Sequence, residues 1–453
     1  MHKLTRRAAV AGLGTAVAAG PRRAKAAETV TVWWTQGFYK AENDAVIAAM
    51  SKWEKETGNK VNLTIMNGAD LISKMIAAMQ VGDVPDLVHA VTGDRFLVPL
   101  AAWNNKLVDV SDVIASQQTA FSKTALDSSS FYNATAKKHS FYTVPIKCST
   151  LLEQVWRPLV EEAGFGDKDI PTTQDKYYEF FQIVQDKLRS KGKRIFGLGF
   201  SLATKEADSG TLFHNFLVAY GGTGIVLPDG RLNIDDANVR KAAAMAIDRL
   251  AGPYKKGYVP PGAINWGDVD NNNAFFAKQI AMTPNATISI SVAQIDKEDQ
   301  YYKQIVTQGI PDDNSGKPVA SLLGVSPCLI PKDAKNIAGA KSLLKAFIQP
   351  ANLNTYLKET FGRYLPVMPS IVANDPWWTD PKDPHRPVAV KTGLVNPTIP
   401  WWMNYNPAYS AVLSEQIWNQ AIANVLQKNM TVDQSLDEAV GRVKTIFERY
   451  KLG

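Results

Sequence analysis

Six of the eleven tryptophans stand in adjacent pairs: Trp33-Trp34, Trp377-Trp378 and Trp401-Trp402. Indole combines a flat apolar face with one N–H donor. That suits a pyranose ring, whose C–H face is apolar and whose rim carries hydroxyls. Neighbours on a strand point to opposite faces. One of Trp33-Trp34 therefore enters a core while the other leans out at the strand's carboxyl end, where open α/β sheets bind ligands. Packing alone explains any single tryptophan equally well; three pairs together favour a site.

Other patterns exclude chemistry. His2, His89, His139, His214 and His385 do not fall at metal-ligand spacing, so no metal is expected. Gly221-Gly222-Thr223-Gly224 follows a helical pattern instead of opening one, and reads as a helix stop, not a phosphate cradle. Asp268, Asp270 and Asn272 begin like a calcium loop, but Asn273 and Gln279 replace its glycine and its final glutamate. There is no G-x-S-x-G elbow, and no cofactor signature is present. Paired carboxylates for glycosidic cleavage leave no sequence signature, because they meet only in the fold. An exported carboxylate-dependent glycoside hydrolase is therefore retained as an alternative to a binding protein that catalyses nothing.

The elements that must position these residues come from a chain of 453 residues, long enough for two or more domains. The formal charge of +7 is concentrated at the start: Lys3, Arg6, Arg7, Arg22, Arg23 and Lys25 precede the first acid, and the remainder is near neutral. Nucleic acid is thus not an expected partner. Residues 1–26 read as an export signal: MHKLTRR, a weakly apolar stretch, then the small-x-small site Ala24-Lys25-Ala26. The Arg6-Arg7 pair points to the twin-arginine route and a periplasmic product. Cys148 and Cys328 are read as two small buried residues, with a disulfide as the minority alternative.

Residues 28–91 read as βαβαβ. A strand over 30–34 is followed by a helix with Val46, Ala49, Met50 and Trp53 on one face, stopped by Gly58. A strand over 61–65, a helix carrying Leu71, Met75, Ala78 and Met79, and a strand over 86–91 complete the unit. A second unit has strands over 151–156 and 195–200, a helix opened by a capping box at Thr172–Asp175, a helix over 213–220, and another capped by Asp235-Asp236. The last 45 residues are helical, with Trp418, Ile422, Val425 and Leu426 in phase. Alternating strands and helices imply an α/β fold with mostly parallel sheets covered on both faces.

With these pieces in order, the chain resembles the family 1 extracellular solute-binding proteins of ABC importers, the maltose-binding-protein-like group. The resemblance rests on VGDVPDLVHA, FYTVPIKCSTLLEQVWR, PTTQDKYYEFFQIVQDKL, NNNAFFAKQIAMTPNA, LLGVSPCLIPKDAKN, FGRYLPVMPS and TVDQSLDEAV. It implies two doubly wound α/β lobes joined by a multi-strand hinge, the type II periplasmic-binding-protein architecture. The implied N-terminal lobe is 28–143 plus 285–337, and the C-terminal lobe 146–282 plus 340–453. The implied function is capture of a sugar or polyol between the lobes by a monomer that delivers it to the permease subunits of an ABC importer. Asp94-Arg95-Phe96 is similar to the family's sugar-hydroxyl contacts after the third strand, and Asn285 matches an asparagine near a crossing. Trp266, Trp401 and Trp402 fall near the family's aromatic platforms, Tyr364 is expected to contribute from the second lobe, and Trp34 and Gln36 lie at the family's first contact loop. Ile288 stands where one platform tryptophan would be. A polyamine, peptide or phosphodiester is the alternative ligand; a cluster of acids facing the cleft would favour a polyamine, and none is visible in the sequence.

Cleavage is expected after Ala26. Intact mass of the exported protein checks this, and a mature start well beyond Glu28 would contradict it. Arg6→Lys with Arg7→Lys should block export; unchanged export would reassign the signal to the general secretory route.

Overall fold

The computed structural model describes residues 28–452; the export signal expected over residues 1–26 lies outside them. In chain order the strands are β1 (Thr29–Thr35), β2 (Lys60–Met66), β3 (Leu87–His89), β4 (Ser130–Asn133), β5 (Lys138–Phe141), β6 (Val144–Ser149), β7 (Leu152–Trp156), β8 (Phe196–Leu198), β9 (Ile280–Asn285), β10 (Ile305–Gly309), β11 (Ser321–Leu322), β12 (Gly324–Leu329), β13 (Leu365–Pro366) and β14 (Thr398–Ile399). They build a six-stranded sheet ordered β13-β6-β12-β3-β1-β2 and a four-stranded sheet ordered β10-β7-β9-β8.

The first βαβαβ unit folds as its periodicity requires. Ala45, Val46, Met50 and Trp53 are the buried face of the helix Lys40–Thr57, which Gly58 ends in the left-handed region at φ 73°. Leu71, Met75, Ala78 and Met79 do the same for Gly68–Val81. β1 then pairs in parallel with both β2 and β3. The sheets are mixed, not mostly parallel. β12 is antiparallel to both β3 and β6, and β7 is antiparallel to both β9 and β10. The reason is that β6 and β12 belong to crossings. Two residues separate β6 in the first sheet from β7 in the second. β11, one residue before β12, pairs with β14 in a separate two-stranded ribbon.

Two further expectations need correction. Residues 340–390 were expected with the second sheet, yet Leu343, Phe347, Leu357, Trp378 and Val390 share one apolar cluster with Val32, Trp34 and Ile146 of the first. The helix Ile337–Phe347 starts shortly after β12 and so falls on the sheet the chain has just left. The second cluster is built from residues 151–282 and 401–447 with a few outliers. At the helix Gln174–Ser190, Thr173 makes no side-chain cap bond. Asp175 accepts instead from Tyr220 Oη at 2.9 Å and Asn314 Nδ2 at 2.6 Å, and pairs with the Arg249 guanidinium. A partly buried charge-assisted cluster outweighs a local cap. The Asp236 cap is present: its carboxylate accepts from the N–H groups of Asn238 and Val239.

Both cysteines are free and buried. Cys148 lies opposite Val325 and Leu365, whereas Cys328 lies opposite Val144 and His89, so neighbouring strands do not bring them into register. Burial pushes the Cys148 thiol up to about 12 and raises Cys328 as well. The native protein should therefore leave a thiol reagent unconsumed at pH 8 and titrate two thiols once unfolded. Rapid labelling of either cysteine in the native state would show that its site opens to solvent.

Candidate ligand site

The turn after β3 carries the first functional side chains. Thr92, a non-glycine residue at φ 62°, leads into the single helical turn Gly93–Phe96. Such strain persists where surrounding structure over-determines it, often at sites. Asp94 is buried, and its Oδ2 accepts from the Val325 N–H at 3.1 Å. It anchors the turn to β12 and is turned away from open space. Its Oδ1 pairs with Arg95 Nε at 3.7 Å, and the Arg95 guanidinium reaches on toward the second sheet. Its Nη1 donates to Thr211 Oγ1 at 3.2 Å, and its Cζ lies 4.9 Å from the Trp401 ring centroid. Ser410 Oγ donates to the Arg95 carbonyl at 2.5 Å. A turn of the first sheet thus meets the helix Ala207–Ala219, the 401–404 segment and the helix Ala408–Ser414.

Between them lies a cavity of about 20 Å³, lined by Arg95, Thr211, His214, Trp401 and Gln416 among others. That is room for one water. Arg95 Nε and the indole N–H groups of Trp401 and Trp418 are buried there without a hydrogen-bond acceptor, Arg95 Nε being held only by an ion pair with Asp94 Oδ1 at 3.7 Å. Buried donors without an acceptor cost free energy unless something accepts from them. His214 is fixed by Tyr409 Oη at 2.9 Å, and burial lowers it to about 3, so it is neutral.

Charges from four segments act on the same space. Asp208, in the first turn of Ala207–Ala219, is raised to about 7 by burial, then by Asp268, against the lowering effect of Arg95 and with a further rise from Glu206. Glu206 is itself raised by burial and by Asp268 and Asp270. Tyr364 is raised chiefly by burial, with Arg363 lowering it, Glu42 and Asp268 raising it and Arg95 lowering it. Arg95 and Asp268 therefore both act on Asp208 and on Tyr364. Glu206, Asp208, Asp268 and Asp270 act electrostatically on one another, a grouping not visible in the sequence because its members come from two separated loops. Among the described residues, no three His, Cys, Asp or Glu side chains are placed to hold a metal ion.

The expected site residues divide accordingly. Arg95 and Trp401 come together, with Asp94 as scaffold; Tyr364 is buried against Lys147 and Arg363, within electrostatic reach of Arg95. Trp34 does not join them: it is 2% exposed and stacks on His89 at 4.0 Å, with Phe347 and Tyr356 around it. β1 is a central strand covered on both faces, so neither face of Trp34 is left open. Trp402 is also core: its N–H donates to Thr223 O at 2.8 Å, and its ring packs on Tyr409. Gln36 is exposed in the turn after β1. Trp266 is half-buried against the second cluster, two residues before Asp268. Asn285 binds Asn272 Oδ1 at 2.8 Å and accepts from the Thr287 N–H at 3.2 Å, fixing the chain as it leaves β9. Thr211, Asp208 and Asp268 were missed. Only the Asp268-x-Asp270 spacing drew notice, as a fragment of a calcium loop.

The family model for bacterial extracellular solute-binding proteins matches residues 48–385. A search of the curated proteins found no match. Among solved structures, a solute-binding protein of an ABC transporter from Thermotoga lettingae, bound with α-D-tagatose, is similar at TM-score 0.72 and 19% identity, covering 94% of this chain and 100% of its own. Maltose-bound T. maritima MalE3 matches at 0.72 and 16%, covering 92% and 100%. A sugar transporter from Arthrobacter chlorophenolicus with bound laminaribiose matches at 0.71 and 16%, covering 92% and 99%. At these identities the likeness is one of fold.

The state of Asp208 gives a signed expectation. Its folded value of about 7 lies above the unfolded carboxylate value of about 3.9, so its favourable contribution is complete below about pH 4 and is lost as pH rises through 7. Asp208→Asn should therefore flatten the fall of melting temperature between pH 4 and 7.5, and raise it at pH 7.5. A variant melting curve parallel to wild type across that range would show that Asp208 is freely solvated.

Proposed function

Because the chain belongs to the bacterial extracellular solute-binding proteins, we propose that it captures a sugar or polyol between its two sheet-centred lobes and delivers it to the permease of an ABC importer, catalysing no reaction. The observation that carries the reading is a pair of buried donors that make no hydrogen bond, Arg95 Nε and the Trp401 indole N–H, at a place where a turn of the first lobe meets the second. A hydroxyl-rich ligand supplies the missing acceptors, and the indole supplies an apolar face. Proteins of the same fold hold tagatose, maltose and laminaribiose.

The lobes are the parts packed around each sheet, joined where β6 runs into β7, where the chain leaves β9 at Asn285, and at the β11–β12 step. Arg95 would exchange Thr211 for a ligand hydroxyl, while Tyr364 approaches from the first lobe and Asp208, Asp268 and Trp266 from the second. Ligand touching both lobes favours the closed arrangement by its differential affinity, and closure is the signal the permease reads. Export as a monomer into the periplasm through the twin-arginine signal accords with this role. No helix among the described residues is long and apolar enough to cross a membrane.

One observation favours a second reading. Glu206, Asp208, Asp268 and Asp270 oppose Arg95 in this region, which suits a ligand bearing an amine, such as an amino sugar or a polyamine.

A thermal-shift and calorimetry screen of monosaccharides, disaccharides, polyols, amino sugars and polyamines decides between them. A sugar at a hundredfold excess over its Kd should stabilise the fold by about 2.7 kcal/mol. Arg95→Ala should weaken binding by roughly 1–3 kcal/mol, and Trp34→Phe should leave it unchanged. Amine-only hits lost in Asp208→Asn would establish the second reading, and no sugar or polyol hit would remove the first. Turnover of aryl glycosides would return the hydrolase.

A further inference from the structure

Behind the first-lobe wall lies a buried ion network that no part of the capture reading uses. Glu42, in the first turn of Lys40–Thr57, is 3% exposed and shared by two cations. Arg363 Nη1 donates to its Oε1 at 2.8 Å, and Lys147 Nζ lies 4.0 Å from its Oε2. Lys147, on β6, is also 3% exposed and donates to Tyr356 Oη at 3.2 Å. The three residues come from a helix start, a crossing strand and the turn before β13. Two of the three touch Tyr364, which lies within electrostatic reach of Arg95, and the third carries the turn after β1. Lys147 Nζ is 4.2 Å from the Tyr364 ring centroid, and the Arg363 guanidinium is 4.8 Å from it. Arg363 also lies 5.2 Å from the Phe38 ring and reaches Thr287 beside Asn285 at 3.4 Å. A Cβ on Gly37 would lie 2.3 Å from the Glu42 Cβ, so the turn after β1 rests directly on Glu42.

We infer that Glu42, Lys147 and Arg363 are positioning residues of the ligand site: one shared carboxylate, held by two cations, fixes both Tyr364 and the 36–38 turn on the first-lobe wall. This rests on the capture reading only for its purpose, since the geometry stands without a ligand. The physical reason is asymmetry. A buried pair adds little net stability, but losing one member leaves the others uncompensated and free to move. With Glu42 removed, Arg363 and Lys147 repel beneath Tyr364. With Lys147 neutral, Tyr364 loses one of its two cations.

The device is sensitive to pH. Burial lowers Lys147 to about 8, against the raising effect of Glu42 and with Arg363 lowering it further. The groups facing it are Glu42, Arg363, Tyr356, Tyr364, Cys328 on β12 and the neutral His89 on β3. Of these, Glu42 is the one carboxyl group, so deprotonation of Lys147 leaves the Arg363–Glu42 pair without its second cation.

Hydrogen exchange on ligand-free protein tests this. The reporters are the amides of Gln36 and Gly37, bonded to Met66 O and Asn43 Oδ1, and those of Gly362 and Arg363. Glu42→Gln and Lys147→Met should each speed exchange at these amides about tenfold while sparing the second lobe. In wild type, protection there, corrected for intrinsic rate, should fall between pH 7 and 9, and Lys147→Met should abolish that dependence. Unchanged exchange in both variants, or the same pH profile in Lys147→Met as in wild type, would overturn the inference. The wild-type pH series needs no substitution, so a poorly folding variant does not remove the test. Since no sugar is added, its outcome is separate from that of the ligand screen.

Discussion

The antiparallel pairing of β6 with β12 is the constraint on which the rest depends. Both strands must satisfy their backbone groups inside the first sheet and then leave it, β6 into β7 and β12 out of the β11 ribbon. Two hydrogen-bonded strands that depart together fix where the sheets meet. They also place Lys147 under Tyr364 and Val325 against Asp94, which aims Arg95 at Thr211. The site is a product of the crossings more than of either sheet alone.

Polar groups here divide between holding and facing. Asp94, Asn285 and Glu42 are spent on backbone or on buried cations. Arg95, Trp401 and Asp208 keep capacity in hand: an Nε without a hydrogen bond, held only by the ion pair with Asp94, an indole N–H without an acceptor and a carboxyl whose charge burial disfavours.

Much of the architecture was legible because it follows from period and punctuation. Val46, Met50 and Trp53 mark a helical face, and Gly58 its stop, without reference to anything distant. Local rules failed where tertiary charge decided. Asp175 reads as a cap residue and serves Arg249, Tyr220 and Asn314 instead. Trp34 reads as a strand-end platform and is core, because the helices after β12 close over it, and no property of residues 30–35 encodes that. Arg95 was found through its neighbours in the motif. Asp208 and Asp268 were not, since their significance exists only where two loops converge.

The burial of the indoles bears on how the molecule can be watched. Trp34, Trp53, Trp156, Trp378, Trp402 and Trp418 are all at most 2% exposed, and Trp34 and Trp418 are stacked on aromatic neighbours. Their emission forms a constant background, blind to events between the lobes. Contrast between the lobes falls to Trp401, beside the Arg95 guanidinium, and to Trp266, while the half-buried Trp33, Trp103 and Trp377 add to the background. Any spectral change on occupancy is then a small fraction of a large total, read more clearly as a difference spectrum than as raw intensity.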